Sequence, residues 1–159
     1  MDINTVNEGM SLAEALQLRA DIKTRISQLH SRLNDNAKVQ EGEAPAEDPL
    51  RLIELLNAEC SASEELIRRI NLTNAATVLD GQTLTALLAR RDTLSLELSI
   101  MRDFLQQASQ RIDRYSKTEI KILPTVDVTA MQKTVDAKSK ELRQLDAAIQ
   151  KLNWNTMLI

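Results

Sequence analysis

Apolar residues recur every three or four positions along most of this chain. One run is Leu84, Leu87, Arg91, Leu94, Leu98, Met101, Leu105, Ala108, Ile112 and Tyr115. Another is Val128, Met131, Val135, Lys138, Leu142, Leu145, Ile149 and Leu152. Spacing that alternates three and four is a heptad, and a heptad sets one seam of side chains against a partner helix. Two earlier stretches repeat it: Leu12, Ala15, Leu18, Ile22, Ile26, Leu29, Leu33, and then Ile53, Leu56, Cys60, Ser63, Ile67, Ile70. The pattern predicts an all-α chain of long antiparallel helices in an up-down bundle or coiled-coil arrangement.

The helix breakers fit four helices, over about 11–34, 49–71, 83–116 and 127–153. Ser11-Leu12-Ala13-Glu14 is a capping box, in which the Ser hydroxyl and the Glu carboxylate satisfy orphan amides at the helix start. Residues 1–10 before it are polar and read as frayed. Asp48-Pro49 supplies the next N-cap and first helical residue. Asn71-Leu72-Thr73-Asn74 reads as the end of helix two, because Asn and Thr side chains compete for backbone hydrogen bonds. Thr73 to Leu79 holds either one helical turn or an extended piece, and Asp80-Gly81 is a turn signal. Glu119 to Leu123 alternates polar and apolar before Pro124 and reads as a short extended piece. Asp127 caps helix four. The apolar tail from Trp154 to Ile159 is expected to dock. Residues 11–159 then form one four-helix domain.

Composition narrows the class. Hydrophobic residues make up 43% but aromatics only 2%, which suits aliphatic helical seams better than a ring-lined cofactor pocket. Charged residues are 27% with a net charge of -3, a mixed surface that argues against a nucleic-acid footprint over the whole molecule. The start lacks the basic and apolar regions of a secretory signal, and no apolar run approaches the ~20 residues of a membrane span. The expected compartment is the cytoplasm, with Cys60 a reduced thiol on the apolar stripe.

The polar segments carry their own vocabulary. Asn36-Ala37-Lys38-Val39-Gln40-Glu41-Gly42 leads into Pro45-Ala46-Glu47-Asp48-Pro49. Then come Ile70-Asn71-Leu72-Thr73-Asn74-Ala75-Ala76-Thr77, Leu88-Ala89-Arg90-Arg91-Asp92, Arg114-Tyr115-Ser116-Lys117-Thr118-Glu119-Ile120-Lys121 and Asn153-Trp154. From about Ser11 onward this resembles a family of small bacterial helical proteins labelled septicolysin. The resemblance implies an all-helical, oligomeric, cytoplasmic protein and assigns no activity.

No catalytic or metal motif stands out. One His and one Cys do not make a conventional zinc site, and no Glu-x-x-His pair supports a di-metal bundle. No glycine-rich phosphate loop is present, so no cofactor is expected. Cys60 and His30 fall about three turns and one turn from their shared loop, too far apart for a nucleophile–base pair.

An up-down topology gathers two polar ends. One brings Arg68, Arg69, Asn71, Asn74, Arg90 and Arg91 together as a candidate anion site, unless Glu65, Asp80 and Asp92 neutralise the arginines. The other brings Asn36, Lys38, Gln40, Asp113, Arg114 and Tyr115 together as a candidate polar pocket. Arg91 and Lys138, charged within seams, either fix register or snorkel from its edge. The leading expectation is a non-enzymatic scaffold that self-assembles through its seams, with itself or another protein as partner. The alternatives are a nucleic-acid or nucleotide binder at the arginine-rich end, and an enzyme with its pocket at the other.

Overall fold

The computed structural model describes residues 9–110 and 123–159. Four helices dominate: α1 (Leu12–Asp35), α2 (Pro49–Ala76), α3 (Leu84–Ser109) and α4 (Val128–Asn155). A small hairpin of β1 (Val78–Leu79) and β2 (Gln82–Thr83) joins α2 to α3. The all-α class holds, with this hairpin as an addition. Contacts within the chain gather in two compact units. The first holds the residues up to Leu84 together with Gln150–Ile159, and the second holds Thr85–Ile149.

In the first unit α1 and α2 form an antiparallel hairpin. The capping box opens α1 as expected: the Glu14 amide donates to Ser11 Oγ at 3.2 Å and the Ser11 amide donates to Glu14 Oε2 at 2.7 Å. Asn36 closes the helix. Its Nδ2 donates to the Arg32 carbonyl at 2.9 Å, and its Oδ1 accepts from the Glu47 amide at 2.9 Å. One buried side chain therefore fastens both ends of the intervening loop. Arg32 bonds the Glu47 carboxylate across the same loop. Asp48 then caps α2, accepting from the Leu50 amide at 3.0 Å, with Pro49 in the first turn.

The α1 stripe is as the sequence predicts, with Leu12, Ala15, Ile22 and Leu29 buried. The α2 stripe is not. Leu52, Leu66, Ile70 and Thr73 are buried, whereas Ile53, Cys60 and Ile67 are exposed. The seam runs one position earlier, through Leu52, Leu56, Glu59, Ser63, Leu66, Ile70 and Thr73, and keeps the three-four spacing. Glu59 takes its polar position by a forked ion pair with Arg25 of α1, at 2.9 and 3.0 Å. Cys60 is thus not the buried small hydrophobe that its apolar neighbours suggest.

Nor does α2 stop at Asn71. It continues to Ala76, where Thr77 donates its amide and its hydroxyl to the Thr73 carbonyl at 2.9 and 2.7 Å. The hairpin follows, with Val78 opposite Thr83 and Leu79 opposite Gln82. Asp80 and Gly81 both take positive φ, 50° and 81°. That is the backbone of a type I′ turn, whose twist matches the strands it joins.

The segment after α4 docks, as expected of it. The Leu12 amide donates to the Thr156 carbonyl and the Leu158 amide to the Met10 carbonyl, both at 2.8 Å. Met10 is therefore tied rather than frayed; residues 1–8 lie outside the described part of the chain. The Ile159 amide donates to Thr73 Oγ1 at 3.0 Å, and Arg69 Nε donates to the Ile159 carbonyl oxygen at 2.7 Å. Thr73, fully buried, passes its own hydroxyl proton to the Arg69 carbonyl. Leu158 is buried while Trp154, Met157 and Ile159 stay exposed, so main-chain bonds carry this docking as much as side chains do.

In the second unit α3 and α4 run antiparallel: from Arg90 to Glu97 on α3, the partners step back from Glu141 to Lys138 on α4. Leu94, Leu98, Leu105 and Val135 form the core, with Met101, Val128, Met131 and Leu142 packed against it. Burying a leucine or valine side chain stabilises by ~1.5–3 kcal/mol, so this one seam carries the unit. Asp127 caps α4 as predicted, accepting from the Ala130 amide at 3.0 Å. Lys138 reaches Glu97 at 2.9 Å and Arg91 turns to Asp92 at 2.7 Å, so both seam cations end on carboxylates of their own chain. Helix three is described as far as Ser109. The seam residues Ile112 and Tyr115 and the extended piece up to Ile122 lie outside the described residues.

Candidate functional site

The candidate anion-site arginines are each engaged by the protein itself. Arg68 forks onto Glu65 of its own helix at 2.6 and 2.8 Å, and Arg69 holds the Ile159 carbonyl oxygen. Arg90 pairs with Glu141 at 2.7 Å and Arg91 with Asp92. Arg68 holds the Glu65 carboxyl below the usual carboxylate range, chiefly by this hydrogen bond. Glu65 and Asp92 act as the expected partners; Glu141 was not foreseen. Asn71 is exposed and Asn74 half-buried on α2. Arg68, Arg69, Asn71 and Asn74 belong to the first unit and Arg90 and Arg91 to the second.

Of the candidate polar pocket, Asn36 is the loop fastener described above. Lys38 and Gln40 are exposed, and the Gln40 carbonyl accepts from the Glu43 amide at 3.0 Å. Asp113, Arg114 and Tyr115 lie outside the described residues. His30 is exposed, with Nε2 3.2 Å from Asn34 Nδ2. Among the described residues no group of three or more His, Cys, Asp or Glu side chains comes together to hold a metal ion. No described helix is long and apolar enough to cross a membrane.

The feature that the heptad reading overlooked is a second apolar face on α3. Leu96, Ile100 and Phe104 are 63%, 60% and 43% exposed. At about 100° per residue Leu96 lies opposite the Leu94, Leu98 and Leu105 face, Ile100 about 140° from it and Phe104 about 100° from it. Thr93 and Gln107 extend the line at either end. A surface helix ordinarily keeps one apolar stripe and makes the other face polar. α3 carries both, and it is there that the only phenylalanine of the chain is spent. Residues spaced by four form a ridge, and two such ridges interlock with the helices crossed by about 50°. The signal is legible in the sequence as Leu96-x-x-x-Ile100-x-x-x-Phe104, but the longer seam beside it hides it.

Residues 19–158 match the family of unknown function DUF6847, the greater part of the chain. The chain belongs to this family. The chain is also similar to a protein of known structure, described as the crystal structure of a functionally unknown conserved protein from Corynebacterium diphtheriae. It is 42% identical, with a TM-score of 0.87, over 96% of this chain and 100% of the relative. The helical fold is therefore shared with that Corynebacterium protein, and neither description assigns an activity. No curated protein matches the chain.

Proposed function

We propose that this protein is a helical interaction protein that associates with a second copy of itself through the outer face of α3. The observation that carries the reading is the exposed Leu96–Ile100–Phe104 ridge, outside the face that the core already uses. Large apolar side chains lined up in water favour burial, and contiguous patches of this kind mark interaction sites. The ridge is also nearly self-complementary. In an antiparallel two-fold pairing centred on Ile100, Leu96 meets the partner's Phe104, and Thr93 sets a hydroxyl against the amide of the partner's Gln107. A two-fold contact uses one patch on both copies, which this spacing supplies. Glu97, near the rim, already has its charge balanced by Lys138, which lessens its repulsion with the partner's Asp103.

A cross-linking experiment tests the geometry. With Cys60 changed to Ser, the Ile100→Cys variant should form an intermolecular disulfide under mild oxidation, because the two-fold axis passes beside position 100. The same substitution at Ser95, exposed on another side of α3, should not. Equal cross-linking at both positions, or none at position 100, would sink the proposed pairing.

A further inference from the structure

A groove of about 500 Å³ runs between α3 and α4 in the second unit, on a side of α3 away from the Leu96–Ile100–Phe104 ridge. Its size is that of a small-molecule site, ~300–1,000 Å³. Its floor is apolar, Leu105 and Val135, both already in the core. Two guanidiniums stand over it, Arg102 from α3 and Arg143 from α4. Elsewhere Arg25, Arg32, Arg51, Arg68, Arg90 and Arg91 all face carboxylates. These two do not. Arg102 spends only Nη2, on Ser139 Oγ at 2.8 Å, and Arg143 has no polar partner among the described residues.

The remaining polar groups show what the groove has left to offer. The hydroxyls are spent: Ser139 Oγ donates to the Val135 carbonyl at 2.6 Å and Ser109 Oγ to the Leu105 carbonyl at 2.7 Å. Gln132 donates to Asp136 Oδ1 at 2.9 Å, which leaves the second oxygen of that carboxylate open as an acceptor. The two arginines outnumber the one carboxylate, so the groove favours an anion. Guanidinium forks match the oxygens of a phosphoryl group. Among the described residues no aromatic ring lines the walls for a nucleobase to stack on. A body bearing hydroxyls instead meets the free oxygen of Asp136.

The geometry points to a binding site for a small phosphorylated polyhydroxy compound, its phosphoryl group held by Arg102 and Arg143 and a hydroxyl donated to Asp136. This site is independent of self-association, which uses the other side of α3.

Isothermal titration with ribose 5-phosphate, inorganic phosphate and ribose tests it. Ribose 5-phosphate should bind, more tightly than inorganic phosphate, and ribose should not bind measurably. Arg143→Gln alters an exposed side chain with no polar partner among the described residues, so the fold is kept; it should weaken ribose 5-phosphate at least tenfold. Adding Arg102→Gln should abolish binding, whereas Arg90→Gln, at an arginine already paired, should leave it within twofold. No heat with ribose 5-phosphate at millimolar concentration, or equal losses in the Arg143 and Arg90 variants, would overturn the site. Inorganic phosphate binding as tightly as ribose 5-phosphate would overturn the assignment of a hydroxylated body.

Discussion

The α1–α2 hairpin and the α3–α4 pair are built on the same three-four spacing, yet they finish differently. The first is fastened by polar devices: the Ser11–Glu14 box, the Asn36 clasp and the segment held by Thr73 and Arg69 at its ends, and the Arg25–Glu59 fork midway along its helices. The second relies on one aliphatic core and three side-chain bonds between its helices, from Arg90, Lys138 and Arg102. It leaves Leu96, Ile100 and Phe104, spaced by four, in water on α3, whereas the exposed Leu50, Ile53, Ile67 and Leu72 of α2 keep no such regular spacing. A heptad thus tells which helices pack. Whether a region is closed or awaits a partner depends on what its remaining faces carry.

The comparison can be sharpened by substitutions, taken from the largest effect down. Leu66 and Leu98 are fully buried, one in each unit, and alanine at either should cost about 2–5 kcal/mol in chemical denaturation. Ile100→Ala, at an exposed position of the same helix as Leu98, should change the stability of a dilute sample by no more than about 0.5 kcal/mol. A loss at Ile100 as large as at Leu98 would erase the distinction between core and outer face.

Thr73→Val keeps the shape but strips the bonds to Ile159 and Arg69. It should cost about 1–3 kcal/mol, because the Ile159 amide loses its acceptor. Hydrogen exchange should quicken at Leu158 and Ile159 and stay unchanged over Leu94 to Leu105; faster exchange in both places would show that the fastening is not local. Ser11→Ala removes the helix cap and should cost about 0.5–2 kcal/mol, read by thermal unfolding.

The smallest effect is on pH. The Ser11 amide, and then its hydroxyl, holds the Glu14 carboxyl below its usual range, and Arg32 does the same for Glu47. Both are lowered in the fold, so their stabilisation is complete above the ordinary carboxylate range and fades as pH falls through the depressed values. Unfolding followed from neutral to acidic pH should show this loss, and Ser11→Ala should lessen it.

Much of the fold was legible in the residues. The seams of α1 and α4, that of α3 as far as Ala108, the capping box, Asp48-Pro49 and Asp127 all read correctly, because spacing and cap chemistry are local. The α2 seam did not, for a local reason as well. Leu52 and Ile53 are both apolar, as are Leu66 and Ile67, so two registers share Leu56, Ser63 and Ile70. The true one passes through Glu59, which looks unfit for a seam until Arg25 of α1 is opposite it. Likewise Asn71 to Asn74 resembled a stop, but Thr73 serves the distant Ile159. The candidate sites were less legible. Arg68, Arg69, Arg90 and Arg91 adjoin one another in pairs in the sequence, whereas Arg102 and Arg143 lie far apart in it and line one groove only through the antiparallel pairing of α3 with α4.

The central claim is that α3 uses its outer face to bind a second copy. Light scattering on a size-exclusion column, run over roughly a hundredfold range of loading concentration, tests it most directly. The mass should rise toward twice that of the 17.9 kDa chain as concentration increases, and a Leu96→Glu/Ile100→Glu variant should remain at the single-chain mass with unchanged helicity. A single-chain mass for the unaltered protein at every concentration, or a dimer that persists in the charged variant, would contradict it.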